Sequence, residues 1–273
     1  MLIKSISQVI INNILSNPFA ELSVTISPAL MQAYIVIMIM LVVGGTVFDI
    51  VHKKSAKYFF NNWQKTKKNG NRHLSGREMV FLIVRTAVLE GLMSGEFCNA
   101  RRRISHLLTM YGFLIYVITT VIIVFGYSSP TSSAPAILSL LWYVGCLMVC
   151  VGGYWFWFFI RVDVAAEANS PFRVVRADFF ILSLLASVTL GLIWACMLVQ
   201  GNSWASMFLG LYLLTTAVLF GSVPMSKFSH MFYKPVAALE KRITEANGSR
   251  SNLPPSSDKP KIFGTARRLP RHY

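Results

Sequence analysis

Five apolar runs, each long enough to cross a bilayer, constrain this chain more than any other feature. A helix needs about 20 apolar residues to traverse the ~30 Å hydrocarbon core. The segments 29–51, 104–127, 136–160, 177–200 and 204–225 meet that requirement. They are continuous rather than alternating in polarity, which excludes a transmembrane β-barrel. The expected fold class is all-α and integral to the membrane, a bundle of five transmembrane helices.

Charge then orients the bundle. Of the 26 Lys and Arg residues, 25 fall in the segment 52–103, the loop 161–176 or the tail after Met225. Only Lys4 precedes the first run, and the loops 128–135 and 201–203 carry none. Basic residues collect on the cytoplasmic side of membrane proteins, so the N-terminus is expected outside and the C-terminus in the cytoplasm. The net charge of +15 is thereby explained without nucleic acid. A bacterial inner (cytoplasmic) membrane, crossed several times, is the expected location.

This orientation divides the chain. Residues 1–28 read as an outer interfacial arm, because Leu2, Ile3, Ile6, Val9, Ile10 and Ile14 alternate with polar residues as on an amphipathic helix rather than a cleavable signal. Residues 29–230 form the membrane domain, with 52–103 as a basic cytoplasmic segment, and 231–273 a basic cytoplasmic tail, largely disordered after 246. Pro28 stands where a helix start tolerates proline. Ser75-Gly76-Arg77-Glu78 has the form of a capping box. The stretch 79–93 behind it is apolar but carries Arg85 and Glu90, so it reads as an interfacial or docking helix rather than a span. Tyr127, Trp142, Tyr143, Trp155, Trp157 and Trp204 lie near predicted span ends, as interface anchors do.

The histidines offer the first chemistry. His106 opens the second run and His230 follows the fifth, so two antiparallel helices bring them to the same cytoplasmic depth. Such a pair suits the two axial ligands of one b-type haem in a helical bundle. Arg101, Arg102 and Arg103 before His106, and Lys227 before His230, are candidate partners for haem propionates. Thr109, Met110, Phe113 and Val117 share the His106 face. A histidine at a membrane interface beside basic residues also occurs without any ligand, and the arginine cluster by itself follows from topology. The four cysteines, Cys98, Cys146, Cys150 and Cys196, form no CxxC and give no iron–sulfur site.

Two runs carry a family resemblance: Arg101-Arg102-Arg103-Ile104-Ser105-His106 continuing to Phe113, and Val223-Pro224-Met225-Ser226-Lys227-Phe228-Ser229-His230. They resemble the haem motifs of the nitrate-reductase gamma-like cytochrome b family, whose members serve heterodisulfide reductase, Qmo and Dsr complexes. The resemblance covers about 99–242. It implies a membrane anchor and electron-transfer subunit with one haem b on His106 and His230. It also implies a docked cytoplasmic flavin and iron–sulfur oxidoreductase and quinone as the electron acceptor. In size the chain is similar to the membrane anchors of adenylylsulfate reductase, which makes that enzyme a candidate partner and sulfur metabolism the setting. Where many members carry a second, deeper pair of ligands, this chain has Tyr116 and Tyr212. No quinone-binding residues follow from the motifs, and the two tyrosines read better as packed side chains. The alternative is a haem-free structural anchor that recruits a soluble redox complex through its basic face. The span interiors hold no acidic residue, with Asp49 and Asp178 only at the cytoplasmic ends, which argues against a small-molecule carrier.

Overall fold

The computed structural model describes residues 16–52, 55–95, 97, 99–129, 134–161, 174, 178–223 and 230–249. Among these the structure is helical without strands. In chain order the helices are α1 (Pro18–Leu22), α2 (Pro28–His52), α3 (Ser55–Lys68), α4 (Gly76–Thr86), α5 (Ala100–Gly126), α6 (Ala136–Trp155), α7 (Phe179–Val199), α8 (Ala205–Gly221) and α9 (His230–Ala246). A π-helical turn extends α4 over Ala87–Leu92, and another extends α6 over Phe156–Ile160.

Among the described residues four helices are long and apolar enough to cross a membrane: α2, α5, α6 with its π turn, and α7. The chain therefore has the helices of a multi-pass membrane protein. The fifth apolar run yields the shorter α8, 17 residues long. The chain separates into two compact units. The first holds 1–48 and 104–228, and the second holds 49–103 and 229–273.

In the first unit, α5 and α6 meet along a seam of small residues. The buried positions of α5 (Ser105, Gly112, Tyr116, Thr119 and Ile123) recur at steps of seven, four, three and four residues, which puts them on one helical face. Across from them lie Trp142, Gly145, Cys146, Val149 and Gly152 of α6. A Cβ on Gly112 would stand 2.8 Å from the Gly145 carbonyl oxygen, and one on Gly145 would stand 2.8 Å from the Tyr116 nitrogen. The two backbones touch, and only glycine permits it. The close approach continues at Gly152, where a Cβ would stand 2.8 Å from the Ser105 carbonyl oxygen, and there Ser105 Oγ donates to the Gly152 carbonyl at 2.8 Å.

Helices α7 and α8 form an antiparallel hairpin turned at Gly201, whose φ is +62°. Ser187 and Thr216 hydroxyls meet at 2.7 Å. One turn further, the Tyr212 ring lies against Gly191 and stacks on Trp194 at 5.7 Å. Arg161 and Asp178 pair between the end of the α6 π turn and the start of α7, and the guanidinium also sits 4.2 Å above the Trp157 ring.

The arm before α2 is part of the core where it is described. Asn17 caps α1 by accepting from the Phe19 and Ala20 N–H groups. Its own amide donates to the Tyr127 carbonyl at 3.0 Å. Phe19 then sits edge-on to both Trp142 and Trp194. Trp142 is fully buried and its Nε1–H donates to Thr120 Oγ1 at 2.9 Å, so it is a core residue rather than an interface anchor. Trp204 is exposed.

In the second unit, α3, α4 and α9 come together from two distant stretches of sequence. The capping box forms: Ser75 Oγ accepts from Glu78 N–H, and Glu78 accepts from Ser75 N–H at 3.0 Å. That backbone donor, together with Arg72, holds the Glu78 carboxyl below its ordinary value. Arg242 of α9 reaches Thr86 at 3.1 Å and Glu90 at 2.7 Å. Asn247, just past α9, donates to the Thr66 carbonyl at 3.0 Å, and its own carbonyl accepts from Asn71 and Arg72 N–H.

The seam makes a quantitative prediction. Gly145→Ala forces a methyl into backbone atoms that cannot rotate away, so it should destabilise the bundle by about 1–3 kcal/mol, the usual cost of overpacking. Gly44→Ala, with nothing within 4 Å of its Cβ, should be neutral or slightly stabilising. Thermal unfolding of the two variants in the same detergent checks this.

Candidate functional site

A cavity of about 430 Å³ opens inside the first unit between α2, α5 and α8, with α1 at one end. Met31, Met38, Phe113, Val117, Leu213 and Phe220 give it a hydrocarbon wall. Phe113 and Val117 are among the residues that sequence spacing places on one face of α5 with His106.

The polar atoms of the wall are already engaged. Tyr116 and Tyr212, 3% and 4% exposed, join hydroxyl to hydroxyl at 2.6 Å. They are packed tyrosines with a local partner. Tyr34 Oη donates to the Leu213 carbonyl at 2.7 Å. Thr120 donates to the Tyr116 carbonyl and accepts from Trp142. Thr216 donates to the Tyr212 carbonyl and meets Ser187. The cavity thus presents carbon to whatever fills it. An ion of several negative charges would lose its hydration there and gain no cation in return.

His106 and the three arginines before it do not line this cavity. His106 is an exposed residue of α5 in the first unit. Its neighbour Ser105, about 100° round the helix, is the one turned into the seam. Thr109 donates to the Ser105 carbonyl at 2.9 Å, so its hydroxyl serves the helix itself. Arg101 is exposed, with its backbone N–H on the Asn99 side chain at 3.0 Å. Arg102 is half-buried. Arg103 Nε donates to the Met93 carbonyl at 2.8 Å. His230 opens α9 and belongs to the second unit, not the first. Lys227 lies outside the described residues. No three His, Cys, Asp or Glu side chains gather among the described residues.

Comparison with known proteins decides the family. Residues 18–251 match the family described as CitB, citrate utilization protein B, a stretch covering both units. The chain belongs to the citrate utilization protein B family. The citrate utilization protein B of Escherichia coli is 28% identical over 166 residues, which are 58% of this chain and 41% of that protein. The chain thus spans about two fifths of the length of that curated relative. No solved structure matches.

Membership in the citrate utilization protein B family corrects the resemblance drawn from the histidine motifs. The nitrate-reductase gamma-like cytochrome b assignment, and with it the similarity to adenylylsulfate reductase anchors, gives way to a match over most of the chain. The electron-transfer function, its haem-free anchor alternative and the sulfur-metabolism setting are corrected on the same ground. So is the haem b, which rests on that resemblance: the family is citrate utilization protein B, and no metal-holding cluster of His, Cys, Asp or Glu is found among the described residues. The motif misled because three arginines ahead of a histidine are what the inner end of any membrane helix can carry. The quinone and the flavin and iron–sulfur partner had no other support.

What sequence reading missed is the apolar cavity between α2, α5 and α8 and the tyrosine pair in its wall. The signal was present as Tyr116 and Tyr212, two polar aromatics deep in opposing runs, each needing a partner in hydrocarbon. Removing one hydroxyl strands the other in a buried place. Tyr116→Phe and Tyr212→Phe should therefore each cost about 1–3 kcal/mol. The double variant should cost less than the sum of the two. Unfolding of all three variants in detergent, compared as a double-mutant cycle, measures that coupling.

Proposed function

We propose that this protein is a five-span inner-membrane component of citrate utilization, with its N-terminus outside and its second unit in the cytoplasm. The observation that carries the role is the family match across 18–251, which includes both the membrane helices and the basic unit. The role named for the Escherichia coli relative is thereby extended to this chain.

Five spans are supported by parity. The segment between α2 and α5 is hydrogen-bonded to α9 through Arg242–Glu90 and Asn247–Thr66. The two therefore share one side of the membrane. An even number of crossings must separate Arg103 from His230, and α5, α6 and α7 provide three. Helix α8 supplies the fourth. Its 17 residues rise about 25 Å, a little short of the hydrocarbon core, a mismatch that bilayers accommodate. Its contacts with α7 at Ser187–Thr216 and Trp194–Tyr212 make it the second arm of the hairpin turned at Gly201. Cation placement supports the cytoplasmic side for the second unit.

Within this reading the intramembrane cavity is a place for hydrocarbon, and the cations that a tricarboxylate would require lie in the second unit. The growth phenotype tests the role. Deleting the gene in its source organism should abolish or slow growth on citrate as sole carbon source and leave growth on glucose unchanged, and a plasmid copy should restore it. Undiminished growth of the deletion strain on citrate contradicts the role.

A further inference from the structure

Helix α4 and its π turn present two unlike sides. Thr86 is buried and receives Arg242, while Met79, Leu82 and Leu89 are half-buried on that same side. On the opposite side Val80, Phe81 and Val84 are 60%, 62% and 55% exposed, with Ile83 and Val88 exposed beside them. Val80, Val84 and Val88 recur every four residues and so share a face. Five large apolar side chains together in water would be costly and rare on a free surface.

The charges on this side have one sign. Arg77 and Arg85 are exposed and flank the apolar row. The acids of the segment are directed elsewhere: Glu78 to Ser75 and Arg72, and Glu90 to Arg242. An apolar row edged by arginines matches the boundary of an anionic bilayer, where valine and phenylalanine enter the acyl region and guanidinium groups bind phosphates. Arginine stems can lie along the apolar surface while their heads reach the headgroups.

The position of α4 along the chain points the same way. Met93, which ends the π turn, accepts a hydrogen bond from Arg103 at 2.8 Å. Arg103 lies in the first turn of α5, a helix long and apolar enough to cross the membrane. One end of α4 is thus hydrogen-bonded to the polar first turn of a helix that is long and apolar enough to cross a membrane.

We propose that the Val80–Phe81–Val84–Val88 face of α4 is seated in the surface of an anionic phospholipid leaflet, with Arg77 and Arg85 on lipid phosphates. The seat is independent of the citrate role. It makes the second unit a membrane-bound layer rather than a unit tethered only by its spans.

The test uses the full chain in vesicles of phosphatidylethanolamine and phosphatidylglycerol. With Cys98, Cys146, Cys150 and Cys196 replaced, Val84→Cys and separately Phe81→Cys carry an environment-sensitive fluorophore, and Gln64→Cys on the exposed polar side of α3 serves as reference. At both α4 positions the emission should shift to the blue, be quenched several-fold more by shallow doxyl-labelled lipid than at position 64, and resist aqueous iodide. Adding Arg77→Gln and Arg85→Gln should weaken the shielding, as should replacing phosphatidylglycerol with phosphatidylcholine. Water-like emission with free iodide quenching at both α4 positions would overturn the seat. So would shielding that appears only at high protein-to-lipid ratio, which would mean that a second copy of the chain covers the face. Because lipid probes occupy both leaflets, the result does not depend on which way the protein faces, and a failed growth phenotype would leave it standing.

Discussion

Inside hydrocarbon every backbone polar group must be satisfied within its own helix, so what decides how closely two helices approach is the size of the side chains between them. The contact of α5 with α6 is the place where this constraint governs the rest. Gly112 and Gly145 bring the two backbones together, and Gly152 lets Ser105 reach across. The closeness fixes the height at which Tyr116 and Trp142 stand. Trp142 then bonds Thr120 and receives Phe19, while Tyr116 meets Tyr212 of α8. The cavity between α2, α5 and α8 is the space left once these large rings are placed.

The second unit depends on a different device. Its two segments are separated in sequence by most of the membrane helices, and they are joined by Arg242 to Thr86 and Glu90 and by Asn247 to Thr66. These half-buried and buried bonds bring the end of α9 to α3 and α4. In doing so they join two stretches of sequence that lie on either side of α5, α6, α7 and α8. The family match over 18–251 extends past the last apolar helix into this unit, so both parts belong to what defines a citrate utilization protein B.

Local and compositional features were legible before the structure. Each apolar run contains a helix, the fifth a shorter one over Ala205–Gly221. The Pro28 helix start and the Ser75–Glu78 capping box also formed, because each depends on a few adjacent residues. Features that depend on which residue faces which were not legible. Trp142 lies near the start of its run and reads as an interface anchor, yet α1 folds over that end of the bundle and buries it. The Tyr116–Tyr212 bond needed the α5 and α8 rotations, which apolar runs without polar faces do not encode. The cytochrome b resemblance gave way to the family match for a related reason: cations and a histidine at the inner end of a membrane helix satisfy topology first, and spacing alone does not distinguish that from a ligand set.

The account turns on α8 crossing the membrane so that both segments of the second unit share the cytoplasm. The most direct measurement labels single cysteines with a membrane-impermeant maleimide on intact spheroplasts and again after permeabilisation. Lys65→Cys in α3 and Lys241→Cys in α9 should both react only after permeabilisation, whereas Asn202→Cys in the turn between α7 and α8 should react on intact spheroplasts. Reaction of Lys241→Cys from outside, with Lys65→Cys protected, would contradict the five-span account and separate the two halves of the second unit.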